Sequence, residues 1–266
     1  AIEYRFKDMT KYRDEYYSNE VTGLSDIEYN ELKHKMLKSI YQNGGFWIGR
    51  YEAGTSEYRN EHTEILDNTN IIPLSQKNSY PFLYVTCSEA QTLSEKICEE
   101  LNLKNYTSSL MFGIQWDLVL KYLETKGIPK TYLNVDSSSW GNYSNSSFTL
   151  NDGKYTLFLD KSLSNWYSYV EDLKNYVLNS IKQKITLKET GVITTTGASD
   201  RNCKMNIYDF AGNVYEWTLE FSANTSTPCV RRGGASMATG NDWPANAVGH
   251  STSNFAETIG FRITLY

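Results

Sequence analysis

The chain has 266 residues, a formal net charge of −5 and a hydrophobic content of 40%, which permits one large domain or two small ones. The negative charge, with no basic stripe carrying interleaved aromatics, argues against a nucleic-acid partner. No apolar run approaches the roughly 18 residues that a membrane span requires, so we expect no span. Tyrosine (21 residues) outnumbers Phe (10) and Trp (6). This fits a fold with little regular structure, and an A/T-rich codon bias explains it equally well.

The first part of the chain predicts a surface arm and then a helix. Residues 1–24 are polar and rich in tyrosine, and residues 25–266 form the expected single domain. The opening residues carry no signal-peptide pattern and fit a mature or trimmed terminus. Ser25 and Glu28 have the spacing of a capping box, which starts a helix that ends near Gly44. The expected apolar face of this helix consists of Ile27, Leu32, Met36 and Ile40.

The middle of the chain predicts a strand, two helices and a hairpin. Residues 46–51 have the pattern of a strand, and residues 57–77 that of a loop. Ser88 is placed to cap a second helix. The core stripe expected for that helix is Ala90, Leu93, Ile97 and Leu101. Residues 110–123 predict a third helix, and residues 148–160 a hairpin around an Asn-Asp-Gly turn.

Helical spacing returns at residues 164–184, which we interpret as a helical insertion, and residues 194–206 predict a loop. Next, a Gly-Asn turn leads into a strand. The side chains expected to alternate between the two faces of this strand are Val214, Tyr215 and Trp217. The long segment between Gly234 and Gly260 has little periodicity. Loops of this length usually carry function rather than stability.

Several short motifs follow one another along the chain. They are residues 46–52 (Phe-Trp-Ile-Gly-Arg-Tyr-Glu), 81–90 (from Pro-Phe to Ala), 110–117 (around Gln-Trp-Asp), 206–217 (Asn-Ile-Tyr-Asp-Phe-Ala-Gly-Asn-Val-Tyr-Glu-Trp), 232–234 (Arg-Gly-Gly) and 260–262 (Gly-Phe-Arg). Together they resemble the formylglycine-generating-enzyme (sulfatase-modifying factor) superfamily. The resemblance implies an α+β fold of the C-type lectin type. Such a fold has a short, twisted antiparallel sheet, flanking helices and much irregular structure.

The resemblance does not extend to the catalytic groups of that superfamily. In formylglycine-generating enzymes two cysteines after the Arg-Gly-Gly element hold Cu(I). The aligned positions here are Ala238 and Trp243, which supply no thiolate. A related branch binds non-haem iron with three histidines, whereas this chain has only His34, His62 and His250. We therefore expect no copper, no iron and no catalysis. The alternative is an enzyme of this superfamily with an unrecognised activity.

The resemblance also implies a structural Ca²⁺ in the turn before the predicted strand. The implied ligands are two carboxylates and two main-chain carbonyls, from Asp209, Glu216, Gly212 and Val214. The alternative is that Asp209 caps the turn and Glu216 pairs with Arg231 or Arg232. Arg262, in the last motif, is expected to be a buried structural arginine.

The segment 235–258 combines small polar residues with a few aromatics, as antibody paratopes do. In the variable proteins of diversity-generating retroelements, which are ligand-binding proteins of this fold, the same segment is randomised by changes at adenines that never give Lys or Gln. The segment here contains neither. We therefore expect a non-catalytic protein that presents it to a protein or glycan ligand on a cell or virion surface. A bacterial surface, secreted or phage location is favoured over a cytoplasmic one. The expected ligand-binding residues are Ser236, Ala238, Asn241, Asp242, Trp243, Asn246, Val248, His250, Ser253, Asn254 and Phe255.

Two features leave alternatives open. Trp243, stiffened by Pro244, either anchors a ligand or folds inward to fill the vacant cleft. Cys203 and Cys229 lie on either side of the predicted strand and would pair if the protein is secreted.

Overall fold

The structure, a computed structural model, describes residues 12–13, 19–65, 71–146, 150–157, 165–168 and 191–266, and its long helices begin at capping signals. Ser25 and Glu28 exchange the two hydrogen bonds of a capping box, and Thr86 and Glu89 do the same one long helix later. Gly44 ends the first of these helices in the left-handed conformation, with φ of 79°. The helices are α1 (Asn19–Thr22), α2 (Asp26–Asn43), α3 (Cys87–Glu100), α4 (Gly113–Thr125) and α5 (Lys130–Asn134).

The strands are short, apart from one near the C-terminal end. They are β1 (Tyr12–Arg13), β2 (Trp47–Ile48), β3 (Gly54–Thr55), β4 (Tyr80–Pro81), β5 (Ser108–Leu110), β6 (Lys154–Leu157), β7 (Tyr167–Ser168), β8 (Val192–Thr194), β9 (Cys203–Lys204), β10 (Ile207–Tyr208), β11 (Tyr215–Ser222), β12 (Cys229–Arg232), β13 (Val248–His250), β14 (Ile259–Phe261) and β15 (Ile263–Leu265).

The largest sheet is built around β11. Antiparallel β12 lies along one edge of β11, and β13 pairs with the far side of β12. Parallel β14 and antiparallel β1 share the other edge, at opposite ends of β11. Glu216 on β11 is therefore opposite Arg232 on one side and Gly260 on the other. This pairing places three of the sequence motifs side by side.

Smaller sheets complete the architecture. One has the order β2-β15-β5 and joins the first motif to the last residues of the chain. The others are the pairs β3-β4 and β9-β10 and the three-stranded order β7-β6-β8. Helices and mostly antiparallel sheets occur together, so the protein is of the α+β class.

Two hydrophobic clusters fill the interior. The first packs α2 and α3 against β11 and β14, and the second packs α4 and α5 around Trp116, Trp140 and Phe210. Phe46 contacts both clusters. Within the described ranges, no helix has the length and apolar character needed to cross a bilayer.

The helical faces differ in part from the predicted ones. Leu32 and Met36 of α2 are buried as predicted, but Ile27 is 71% exposed and Tyr29 takes its place in the core. In α3 the cap is Thr86 rather than Ser88. The helix also ends one residue before Leu101, which is 60% exposed instead of completing the core stripe.

The surface-arm prediction is wrong for the end of segment 1–24. Tyr12–Arg13 forms β1 against the end of β11, and Val21 and Leu24 are buried in the first cluster. The predicted third helix starts at Gly113, because the three residues 108–110 form β5 and pair with β15. The predicted strand at 46–51 shortens to β2.

The predicted hairpin at 148–160 is also wrong where it is described. Lys154–Leu157 pairs with Tyr167–Ser168 and with Val192–Thr194, which are distant in sequence. Of the predicted insertion at 164–184, residues 165–168 contain β7 rather than helix, and residue 164 and residues 169–184 lie outside the described residues. The predicted loop 194–206 contains a 3₁₀ turn at Asp200–Asn202 and strand β9.

Strand β11 is present as predicted, but its side chains do not alternate between core and solvent. All eight of its residues are buried. Its two faces are both covered, so even Glu216, Thr218 and Glu220 lie inside the protein. Buried acids in such a strand require partners, and these partners form the candidate site.

Candidate functional site

A buried polar network joins the first, fourth and last sequence motifs. Glu52, Asp209, Glu216 and Arg262 are each at most 1% exposed. Arg262 donates to both carboxylate oxygens of Glu216, with Nη2 2.6 Å from Oε1 and Nε 3.0 Å from Oε2. Glu52 Oε2 accepts a 2.7 Å hydrogen bond from Asn213 Nδ2. Motif residues up to about two hundred positions apart thus meet at one point.

The turn that carries this network needs the residue types that the sequence provides. Asp209, Gly212 and Asn213 have φ of 56°, 77° and 61°, values that Asp, Asn and Gly tolerate best. A Cβ on Gly212 would clash with the carbonyl oxygen of Asn142. Asn142 in turn donates 3.0 Å to Asn213 Oδ1. The Gly-Asn pair is therefore required by backbone geometry and close packing.

The network holds three carboxyl groups and one guanidinium, so burial raises the pKa of its acids. Burial, followed by the nearby charges of Asp209 and Glu216, raises the pKa of Glu52 well above its ordinary value. Burial raises the pKa of Asp209 to about 6, although Gly197 N donates to its carboxylate. Burial also raises the pKa of Glu216, and Arg262 opposes this effect. Both oxygens of Glu52 accept hydrogen bonds, from Asn213 Nδ2 and from Val214 N.

These contacts bear on the four implied calcium ligands. Glu216 pairs with Arg262 rather than with Arg231 or Arg232, and both of its oxygens accept from that guanidinium. Asp209 accepts 2.7 Å from Gly197 N. A Ca²⁺ ion at Glu216 would have to share this carboxylate with the Arg262 guanidinium. Calcium binding at these residues stays a prediction of the resemblance.

A second buried network fixes the base of the segment 235–258. Arg232 lies between two acids, with Nη2 3.2 Å from Asp117 Oδ1 and 2.9 Å from a carboxylate oxygen of Glu220. Its Nη1 also donates 3.0 Å to the carbonyl of Ala245. Trp116 Nε1 donates 2.8 Å to the carbonyl of Pro244. The Arg-Gly-Gly and Gln-Trp-Asp motifs therefore hold the backbone of the two residues that follow Trp243.

The rest of the loop backbone is also hydrogen-bonded. The Ala238 carbonyl accepts from the backbone N and the Oγ of Ser144 at 2.8 and 2.9 Å. Gly240 N donates 2.9 Å to Asn145 Oδ1, and Gly240 O accepts 2.9 Å from Ser137 N. Because its main chain has these partners, residues 236–246 form a preorganised loop, and the remaining side chains can reach outward.

A half-buried polar cluster lies on the outer side of this loop. Tyr215 donates its hydroxyl proton to Asp242 Oδ2, and Asn246 Nδ2 donates to Asp242 Oδ1. The Arg231 guanidinium lies 3.5 Å from the centre of the Tyr215 ring. Burial, aided by Arg231, lowers the pKa of nearby His250 to about 4, so this ring is neutral at pH 7. We call Arg231, Asp242, Asn246 and His250 the loop cluster.

The structure separates the predicted ligand-binding residues into groups. Ser236 is fully buried, so a ligand at the surface does not reach its side chain in this conformation. Ala238 and Trp243 are half-buried and pack against the second hydrophobic cluster. The exposed members are Asn241, Ser253 and Phe255, and the remaining half-buried ones are Asp242, Asn246, Val248, His250 and Asn254. Phe255 stacks on His62 with ring centres 4.1 Å apart, away from Asp242.

Three residues of these two sites were not predicted from the sequence to belong to them. Glu52 lies in the first motif, but nothing local indicates that it is buried beside Asn213. Tyr215 on β11 borders the loop cluster, and Arg231, a member of that cluster, lies on the adjacent strand β12. Tyr215 and Arg231 could have been identified from the motifs, because Tyr215 directly precedes Glu216 and Arg231 directly precedes Arg232.

Two of the cysteines, Cys87 and Cys229, are neighbours in the interior, and neither is bonded to Cys203. All four cysteines are free, and buried Cys229 lies 3.2 Å from the Val21 carbonyl, not beside Cys203. His34 is exposed and His62 contacts Glu89. In the described part of the chain, no group of three or more His, Cys, Asp or Glu side chains is arranged to hold a metal ion. Compared with known proteins, the chain matches no family model and no curated protein.

Proposed function

We propose that this is a non-catalytic ligand-binding protein that presents residues 235–258 to a protein or glycan ligand on a cell or virion surface. The observation that carries the proposal is the loop itself. Its backbone is bonded to Trp116, Arg232 and Ser144, while the loop cluster and exposed Asn241 remain partly accessible. Rigid presentation of adaptable polar groups reduces the entropy lost on binding.

The proposal includes a C-type-lectin-like fold of the formylglycine-generating-enzyme type. Its support is that the resembling motifs converge in space: Glu52, Asn213, Glu216 and Arg262 meet in one network, and Asp117 meets Arg232 in another. Motifs that matched by chance would have no reason to supply each other's buried partners.

The binding test uses two loop variants and one control. Asn241→Ala and Asn246→Ala should weaken capture by about tenfold at one or both positions, with little change in melting temperature, because neither side chain is in the core. Tyr122→Ala, on α4 and 44% exposed, is the matched control. The probes are a glycan array and intact bacterial cells. Unchanged capture by both loop variants would contradict the proposal.

Diversification by a retroelement is proposed as the origin of this loop. The support is its residue set, which lacks Lys and Gln. Deep sequencing of the gene in its source population should find adenine-specific changes confined to codons 235–258. Ser236 should change less than Asn241, because it is buried and Asn241 is exposed. Changes spread evenly along the gene would remove this part of the proposal.

A further inference from the structure

A cleft lies away from the loop 235–258, between the end of α2, strand β2 and the segment before β5. It encloses about 530 Å³, and its lining includes Asn43, Trp47, Asn105 and Tyr106. This volume falls within the range of roughly 300–1,000 Å³ that is typical of small-ligand sites. The fold positions it firmly, because Gly44 N bonds Ile40 O and Thr107 bonds Tyr266 in both directions.

Large aromatic surfaces face solvent in this cleft. Trp47 is 69% exposed and Tyr106 is 50% exposed. Trp47 belongs to β2, where its main chain pairs with Leu265, so its indole is held on a strand while its ring stays uncovered. Neighbouring exposed aromatic rings usually indicate an interaction site, because their apolar area gains most from being covered.

The polar groups of the cleft are uncharged. Asn43 and Asn105 both line the cleft and are exposed, and each amide offers donors and an acceptor. Among the residues that the structure describes, no charged side chain lines the cleft, so an ionic ligand would lose water there without gaining an opposite charge from them. The lining therefore suits a ligand that is neutral, has an apolar face and carries hydroxyl groups at its edge.

We propose that this cleft binds a neutral saccharide. A pyranose ring has a C–H face that packs on an indole or phenol ring, and hydroxyls at its edge that exchange hydrogen bonds with asparagine amides. A proline-rich peptide would use the aromatic rings, but its carbonyls would leave the acceptor oxygens of Asn43 and Asn105 without donors. The site is separate from residues 235–258 and does not rest on the function proposed for them.

The test is affinity electrophoresis in native gels that contain soluble neutral polysaccharides of glucose, mannose, xylose or galactose. The protein should be retarded by at least one of them, and Trp47→Ala should weaken the retardation about tenfold or more. Tyr106→Ala should weaken it as well. The fold should survive both changes, because both side chains are mostly exposed, and the melting temperature checks this.

Two controls separate this site from other surfaces. Tyr41→Ala removes a 91% exposed ring on α2, the helix that carries Asn43, but outside the cleft. This change should leave retardation unchanged. Tyr122→Ala removes a 44% exposed ring on α4, outside both the cleft and the loop cluster, and should also leave retardation unchanged. If the Trp47→Ala variant is retarded as strongly as the parent protein, the proposal is overturned. No retardation in any gel, or binding of a proline-rich peptide probe that no saccharide displaces, would also overturn it.

Discussion

At the scale of single residues, Trp243 shows how position and burial combine. By the resemblance it aligns with a copper-binding cysteine of formylglycine-generating enzymes, yet its ring is half-buried against the second hydrophobic cluster rather than fully outward. The carbonyl of the next residue, Pro244, is held by Trp116. This arrangement is closer to the inward-folding alternative than to a free ligand anchor.

We therefore expect Trp243→Ala to destabilise the protein by about 1–3 kcal/mol, less than for a fully buried Trp. Urea unfolding monitored by circular dichroism measures this. Met237→Ala, in the same loop and 41% exposed, is the control and should cost at most about 0.5 kcal/mol. If Trp243→Ala unfolds at the same urea concentration as the parent protein, the ring contributes to ligand binding rather than to packing.

Residue-level prediction succeeded where the reason was local. The capping box at Ser25 and Glu28 is contained in four residues, and the structure has it. The partner of Glu216 depends on long-range pairing. Parallel β14 brings Arg262 beside Glu216. Arg231 and Arg232, which are nearer to Glu216 in sequence, contact Tyr215 and Glu220 instead. No local pattern distinguishes among three arginines.

At the scale of elements, the loop 235–258 depends on hydrogen bonds from its neighbours. Trp116→Phe keeps an aromatic ring against Phe210 but removes the donor to Pro244 O. We expect a loss of about 1–2 kcal/mol and faster amide hydrogen exchange in residues 236–247. Exchange followed by mass spectrometry measures the second effect.

The matched control for this prediction is Trp217→Phe. Trp217 is equally buried and donates 2.9 Å to Val85 O, in the first cluster. Trp217→Phe should cost a similar amount of stability, but it should not selectively speed amide hydrogen exchange in residues 236–247. Equal exchange in the loop for both variants would show that the Trp116 bond does not hold it.

Helix ends that are set by capping residues were easier to predict than strands, whose partners are set by tertiary pairing. The predicted hairpin at 148–160 used a local Asn-Asp-Gly turn, but β6 pairs with β8, nearly forty residues on. Tertiary pairing outweighed the turn signal. Likewise, strand β11 was predicted with one solvent face, although its two faces are both covered and all of it is buried.

At the scale of the whole molecule, the buried acidic network decides between two accounts of Glu216. If Ca²⁺ binds there, EDTA should lower the melting temperature, because a ligand bound only by the folded state stabilises it by mass action. The observed pair with Arg262 predicts no change with EDTA. It also predicts that Glu216→Gln costs about 3–5 kcal/mol, since Arg262 would be left buried without its counter-charge. Differential scanning calorimetry with and without EDTA distinguishes the two.

The same network predicts how stability depends on pH. The pKa of Asp209 is about 6 in the folded protein, because of burial, against an ordinary value of 3.8. Between these values the folded state holds a proton that the unfolded chain has lost, so stability should fall as pH rises from about 4 to 6, by about 1–3 kcal/mol. Burial also raises the pKa of Glu52, so its titration changes stability in the same direction. Glu216 and Arg262 also face Asp209, but as a pair they largely neutralise each other.

Asp209→Asn isolates this contribution, because an amide keeps an acceptor for Gly197 N and does not titrate. We expect the variant to lose less stability than the parent protein as pH rises from about 4 to 6. Urea unfolding in chelator-treated buffer at closely spaced pH values measures the difference. Glu100→Gln, an exposed acid on α3, should leave the parent profile unchanged. If Asp209→Asn follows the parent profile as well, Asp209 keeps an ordinary pKa. The network would then hold its charge by a route other than proton uptake, such as a bound cation.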